Sequence, residues 1–275
     1  MTMSVREERG GYQAVISWKP GTDEFRLEGC YFFDLGDDRW CGDIASSLVY
    51  DRKAGLWYVW ACAFSHGHIL CHAVSRSDLR YGVNVVDAEF MPRETLPDGS
   101  FRMVNGNYAV SDDNSFFAKQ GDEDPDLMFD DAIGKWRLII CRLVTEKGAT
   151  NYRYFSYVSD DPFTGFTYVD RMTSGSATGG SIITVEGKRY LLCGSDFNLR
   201  AQYRVHPIDD LNSFKLLKFD YDDGGFRGWG TLLPIPCGTR TKYYLMTFDR
   251  HNFSQINNWS YGSIYVFEAD RMSRD

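Results

Sequence analysis

What this 275-residue chain lacks narrows its identity before any motif is considered. It has no basic run. Its 30 lysines and arginines stand against 38 acidic residues, for a net charge of −8, so nucleic acid is not an expected partner, because proteins that bind it carry a basic patch. It has no apolar stretch of membrane length, and its polar start leads us to expect no secretory leader. A membrane is therefore not expected as a partner, and a complete chain of this kind is expected in the cytosol. No pair among its seven cysteines has zinc-finger spacing. Most of them sit inside apolar strand patterns, where reduced thiols act as small hydrophobes, and a disulfide framework is not expected in so long a chain. Helical periodicity is missing as well: no segment repeats its apolar residues at the spacing of an amphipathic helix.

What remains is a β vocabulary. Aromatic residues make up 16% of the chain, and 26 glycines punctuate short apolar runs, a mix that suits strands and tight turns. Two strands, 12–18 and 25–33, come first. Four units follow, with strands at 44–50, 56–64 and 69–75; at 126–129, 136–143 and 152–159; at 181–185, 189–193 and 202–208; and at 230–235, 242–248 and 261–268. The first three units end in related polar tails, SRSDL, SDDPF and IDDL. Repeats of roughly 40–50 residues built from antiparallel strands point to an all-β, five-bladed β-propeller. We read residues 1–275 as that single domain, with the N-terminal pair closing the ring or forming a blade of its own. A β-sandwich would not predict the same tail after each third strand. On this reading the first blade is incomplete, which leads us to expect a longer parent protein. The polar start, residues 1–11, is expected to fray.

In a propeller blade the innermost strand begins at one mouth of the central channel, and the loop between the second and third strands returns there. This sorts the polar residues. Asp43, Asp124, Thr178, Gly179, Arg227 and Trp229 fall at strand starts, while His66, Asp196, Asp249, Arg250 and His251 fall in returning loops. Asp51, Asp130, Asp131 and Glu186 fall in turns at the far end and are expected to be ordinary solvated turn residues. A mouth that gathers carboxylates, histidines, arginines and a tryptophan suits a carbohydrate: aromatic faces pack on the ring C–H groups, and charged groups bond the hydroxyls. His66 and His68 flank a glycine, but no third ligand is near; no metal and no cofactor are expected. His72 and His206 read as packing histidines. The long connection 92–120 is expected to wall the pocket.

Two stretches carry a resemblance. CGDIASSLVYDRKAGLWYVW, residues 41–60, followed by HAVSRSDL, and DEDPDLMFDDAIGKWRLIICR, residues 122–142, resemble the first two blades of the five-bladed propeller glycosidases around glycoside hydrolase family 43. The resemblance implies a general base at Asp43 and a helper at Asp124 that orients the acid and tunes its pKa. The family's acid, a Glu at the start of the next innermost strand, has no counterpart in SATGGSIITVEG, residues 176–187, because Glu186 lies in the turn. The acid must then come from elsewhere. Asp249 and His251 lead, followed by Asp196 and Glu123.

These readings converge on a glycoside hydrolase acting on a poly- or oligosaccharide, at a chain end. Asp43 would activate water, Asp249 or His251 would protonate the leaving oxygen, and Arg227 and Trp229 would hold the sugar, with Asp196, His66 and Arg250 beside it. A glycoside phosphorylase, with Arg227, Arg250 and His251 as its phosphate site, and a non-catalytic sugar-binding propeller are the alternatives. Both sit more easily with the missing glutamate.

Overall fold

The structure is a computed structural model that describes residues 2–7, 10–34, 44–63, 69–91, 93–95, 97, 101–103, 122–146, 148–194, 202–218, 229–248 and 264–269. Among these residues there is no helix, and hence none long and apolar enough to cross a membrane. In chain order the strands are β1 (Thr2–Glu7), β2 (Gly10–Trp18), β3 (Phe25–Asp34), β4 (Ile44–Asp51), β5 (Leu56–Ala63), β6 (Ile69–Ser75), β7 (Gly82–Asp87), β8 (Glu89–Phe90), β9 (Arg93–Thr95), β10 (Phe101–Met103), β11 (Asp122–Asp130), β12 (Lys135–Glu146), β13 (Ala149–Ser159), β14 (Thr167–Arg171), β15 (Thr178–Val185), β16 (Lys188–Gly194), β17 (Tyr203–Pro207), β18 (Lys215–Leu216), β19 (Thr231–Cys237), β20 (Arg240–Phe248) and β21 (Ile264–Ala269). Besides the β9–β10 hairpin they form five sheets, ordered β1-β2-β3-β7, β4-β5-β6-β8, β11-β12-β13-β14, β15-β16-β17-β18 and β19-β20-β21. The fold is a five-bladed β-propeller. Each of the four sequence units supplies the first three strands of one sheet. Two compact units are recognised within the chain: Met1–Leu138 with Ser159–Thr167, and Ile139–Val158 with Tyr168–Asp275.

In the first unit, two expectations are overturned. The polar start of the chain does not fray: β1 pairs antiparallel with β2 from Thr2↔Val15 to Glu7↔Gly10, because ladder hydrogen bonds satisfy its backbone whatever its side chains. The first blade is also not short. Its fourth strand is β7, from the segment read as the tail of the following unit, which pairs in parallel with β3 from Gly29↔Gly82 to Asp34↔Asp87. A Cβ at Gly29 would lie 2.7 Å from the Gly82 carbonyl oxygen, so only glycine lets the returning chain approach β3 this closely.

Strand β4 is fastened on both sides. Ser46 Oγ bonds the Tyr31 hydroxyl at 3.0 Å and donates to Gln13 Oε1 at 3.0 Å. Its neighbour Ser47 donates to Asp126 Oδ1 at 2.6 Å and accepts the Leu127 N–H at 3.1 Å. Adjacent residues of one strand thus serve opposite neighbours, as the period of two requires. Strand β5 is buried from Trp57 to Ala63, which is why it reads as an unbroken apolar run. The segment Ser159–Thr167 packs on this sheet. Trp60 Nε1 donates to the Pro162 carbonyl at 2.9 Å, and the Phe163 ring sits 5.1 Å from Tyr58 and 4.6 Å from His72.

The recurring tails have a common physical basis. Asp78, Asp161 and Asp210 each accept the N–H two residues on, from Arg80, Phe163 and Asn212, which makes an Asx turn. In two of the three, the residue after the acid is buried apolar: Leu79 and Leu211 are 0% and 1% exposed.

The turn acids divide. Asp51 accepts the N–H groups of Lys53 and Ala54 and the Tyr58 hydroxyl. Asp130 is not a solvated turn residue. It caps Ala132 N with one oxygen, while the other meets Arg137 Nε at 2.6 Å, with both side chains at most 4% exposed. Removing one member of such a buried pair costs about 3–5 kcal/mol. Asp131 and Glu186 are exposed, as expected.

In the second unit, β15 and β16 are joined by Glu186 and Gly187, at φ 49° and 77°, the two-residue turn whose twist matches a hairpin. Its core gathers Ile183, Leu192, Tyr203, Leu232, Tyr243 and Leu245. Ser181 Oγ donates to the Gly230 carbonyl at 3.1 Å, holding β15 to the chain that enters β19. The last sheet has three strands among the described residues.

Candidate active site

The candidate site is built at the start of β11. The strand begins at Asp122, four residues earlier than the apolar pattern suggests. Asp122, Glu123 and Asp124 are buried, at 2%, 8% and 6% exposure. Three consecutive buried carboxylates are costly unless the surroundings use them. Asp124 adopts φ 44°, a left-handed conformation that costs a non-glycine residue on the order of 1–3 kcal/mol and concentrates at functional sites. Two residues on, the Ser47–Asp126 bond fixes where the strand lies.

Beneath the acids is Cys62 of β5, fully buried. Burial first, and then the charges of Glu123, Asp124 and Asp122, push its thiol well above its ordinary range. All three carboxylates therefore lie near enough to act on one buried thiol.

Of the residues singled out from sequence, Asp124 and the last-ranked acid candidate, Glu123, are part of this cluster. Trp229 is half-buried just ahead of β19. Asp43, His66, Asp196, Arg227, Asp249, Arg250 and His251 lie outside the described residues. Sequence reasoning passed over Asp122 and Asp126. A signal for Asp122 was available: it and Asp43 both stand eight residues before a turn aspartate, Asp130 and Asp51 respectively.

The start of β15 is built without a carboxylate. Gly179 has φ 62° and, like Asp124, stands six residues before the end of its strand. The kink recurs with a glycine where β11 has a carboxylate. At Gly180 a Cβ would lie 2.5 Å from Tyr154 Cζ, and the Gly180 N–H donates to the Tyr154 hydroxyl. A tyrosine ring fills the position, and no side chain fits over it.

His72 and His206 are packing residues, as read. His72 stacks on Phe163, and burial lowers its pKa against the raising effect of Glu89 and Asp161. His206 is held by its Nδ1 at 2.8 Å from the Leu211 carbonyl, and burial lowers its pKa to about 4. Among the described residues no group of three or more His, Cys, Asp or Glu could hold a metal ion.

No family model matches the chain, and no curated protein matches it in sequence. Solved structures do. An α-L-arabinofuranosidase from Lactobacillus brevis superposes with a TM-score of 0.54 at 13% identity, over 84% of this chain and 69% of that one. An endo-arabinase from Bacteroides thetaiotaomicron does so with 0.53 at 14%, over 82% and 75%. An exo-β-1,3-galactanase from Phanerochaete chrysosporium, crystallised with galactose, gives 0.53 at 13%, over 82% of this chain. The fold is the one used by glycoside hydrolase family 43. At these identities the shared property is the fold. The chain spans about half the length of the galactanase, 47%.

Proposed function

We propose that this chain is a glycoside hydrolase acting on a poly- or oligosaccharide. The observation that carries the reading is the start of β11: buried carboxylates gathered at Asp122–Asp124 with Asp124 held left-handed, on a fold used by glycosidases. Asp43 serves as the base that activates water. Asp124 orients the acid and tunes its pKa. Asp249 or His251 protonates the leaving oxygen, with Arg227 and Trp229 against the sugar and His66, Asp196 and Arg250 around it. An acid and base about 6.5–9.5 Å apart leave room for the water and invert the anomeric centre. The similar structures include an endo-arabinase and an exo-β-1,3-galactanase bound to β-1,3-galactotriose, which makes arabinosides and galactosides the first to try.

The test is hydrolysis of aryl α-L-arabinofuranosides and β-D-galactosides, of arabinan and of β-1,3-galactotriose. Wild type should release sugar from at least one, and Asp43→Asn should lower kcat by about 10²–10⁴-fold, the usual worth of a positioned acid or base. Absence of turnover on all four sinks the reading. A second reading, a sugar-binding propeller without activity, is favoured by the glycine and tyrosine at the start of β15. It requires wild type to bind one of these glycans and turn over none.

A further inference from the structure

We propose that the far end of the second blade carries an accessory platform for neutral oligosaccharides, built from Tyr50, Trp57, Arg80 and Tyr81. The platform is separate from the candidate site. Cys62, under the acids, pairs with Ala45, whereas Trp57 pairs with Tyr50, five residues further along β4 and about 16 Å away at 3.3 Å per residue.

The parts are held before any ligand arrives. Tyr50 and Trp57 pack across the strands as a tilted pair, with ring centroids 4.9 Å and planes 37° apart. The Arg80 guanidinium lies 5.3 Å from the Trp57 ring and 5.4 Å from the Tyr81 ring. Asp78 grips it through Nε at 2.9 Å and Nη2 at 2.7 Å. The Tyr81 backbone is tied on both sides, its N–H donating to the Asp78 carbonyl and its carbonyl accepting from Asn84 Nδ2. Yet Tyr50 and Tyr81 remain 46% and 56% exposed. Two rigid aromatic faces thus flank a fixed charge pair. Pre-ordering of this kind lowers the cost of binding.

The chemistry favours a sugar. The Arg80–Asp78 pair is neutral as a unit and selects no ion, but it offers donors and acceptors at set positions, Asp78 occupying only some of the five guanidinium N–H groups. Tyrosine rings present an apolar body with a polar tip, matching the C–H faces and hydroxyls of a pyranose or furanose. Two rings and one ion pair fall far short of the roughly 800 Å² per partner of a stable protein interface. The glycosidase reading enters only in the choice of glycans to test.

Affinity electrophoresis through gels containing soluble galactan or arabinan tests the proposal, with aryl-glycoside hydrolysis measured on the same samples. Tyr50 and Tyr81 are about half exposed, so the double variant Tyr50→Ala/Tyr81→Ala should fold, with its unfolding temperature lowered by only a few degrees. Wild type should be retarded by at least one polymer, and the double variant should bind it at least 10-fold more weakly with aryl-glycoside turnover unchanged. Equal retardation of both proteins, or none of wild type by either polymer, overturns the platform whatever the hydrolysis shows. Tyrosine-dependent retardation from a protein that hydrolyses nothing keeps the platform and removes the enzyme.

Discussion

The starts of β11 and β15 are the same backbone device with opposite contents. Each bends through a left-handed residue six positions before its strand ends. In β11 that residue is Asp124, flanked by buried acids over a small cysteine. In β15 it is Gly179, followed by a glycine pressed onto a tyrosine ring. At one blade the strain is carried by a charged side chain, which glycine would have avoided. At the other it is relieved and the space is filled. A fold that repeats its geometry while varying the contents marks the strained, charged copy as the place to look for chemistry.

The contrast can be tested by making one copy resemble the other. Asp124→Gly gives β11 the kink of β15. We expect activity to fall by 10²-fold or more, about 2.7 kcal/mol in the barrier. Stability should change by only about 1 kcal/mol, since the relief of left-handed strain offsets the lost side-chain contacts. A variant that keeps full kcat breaks the assignment of the acid start as the site. The reverse change is structural. Gly180→Ala places a methyl on Tyr154, and overpacking of this kind costs about 1–3 kcal/mol, read as a lowered denaturation midpoint; an unchanged midpoint would show that the tyrosine is free to move.

The fastenings of the two starts should differ in strength. Ser47 bonds a carboxylate and a backbone N–H, whereas Ser181 donates to one carbonyl. Hydrogen bonds to charged groups contribute roughly 1.5–3 kcal/mol and neutral ones roughly 0.5–1.5. Ser47→Ala should therefore destabilise more than Ser181→Ala in parallel urea titrations, and the opposite ranking would break the comparison. The smallest effect belongs to pH in the second unit. Unfolded chains protonate His206 below about its ordinary 6.5, whereas the folded chain holds it neutral down to about 4. Its contribution is full above that window and is lost as pH falls through it. His206→Gln should flatten the decline of Tm between pH 6.5 and 4, while leaving the acid start of β11 untouched.

Much of the architecture was legible in the residues. The apolar runs located the inner strands of four blades, since alternation and turn chemistry are local. The tails recur because Asp78, Asp161 and Asp210 each close the same short turn. The membership of β7 was not legible. Its residues would serve either of two sheets, and the close pass allowed by Gly29 decides between them. Asp130 looked like scaffolding for a turn because its pattern matches Asp51. Seven residues on, however, one hairpin has Tyr58 and the other Arg137, and the arginine draws its acid into a buried pair.

By itself, then, the sequence determined the all-β class, the repeat and the hairpin turns, because each follows from side-chain period and from which residues tolerate a tight turn. It also marked Asp124. Only the tertiary structure decided that Asp122 and Glu123 share the interior with Asp124, that Cys62 lies beneath them, and that a tyrosine occupies the corresponding position in β15. Those outcomes depend on which strand packs over which, and burial, unlike periodicity, is a property of neighbours that are distant in the chain.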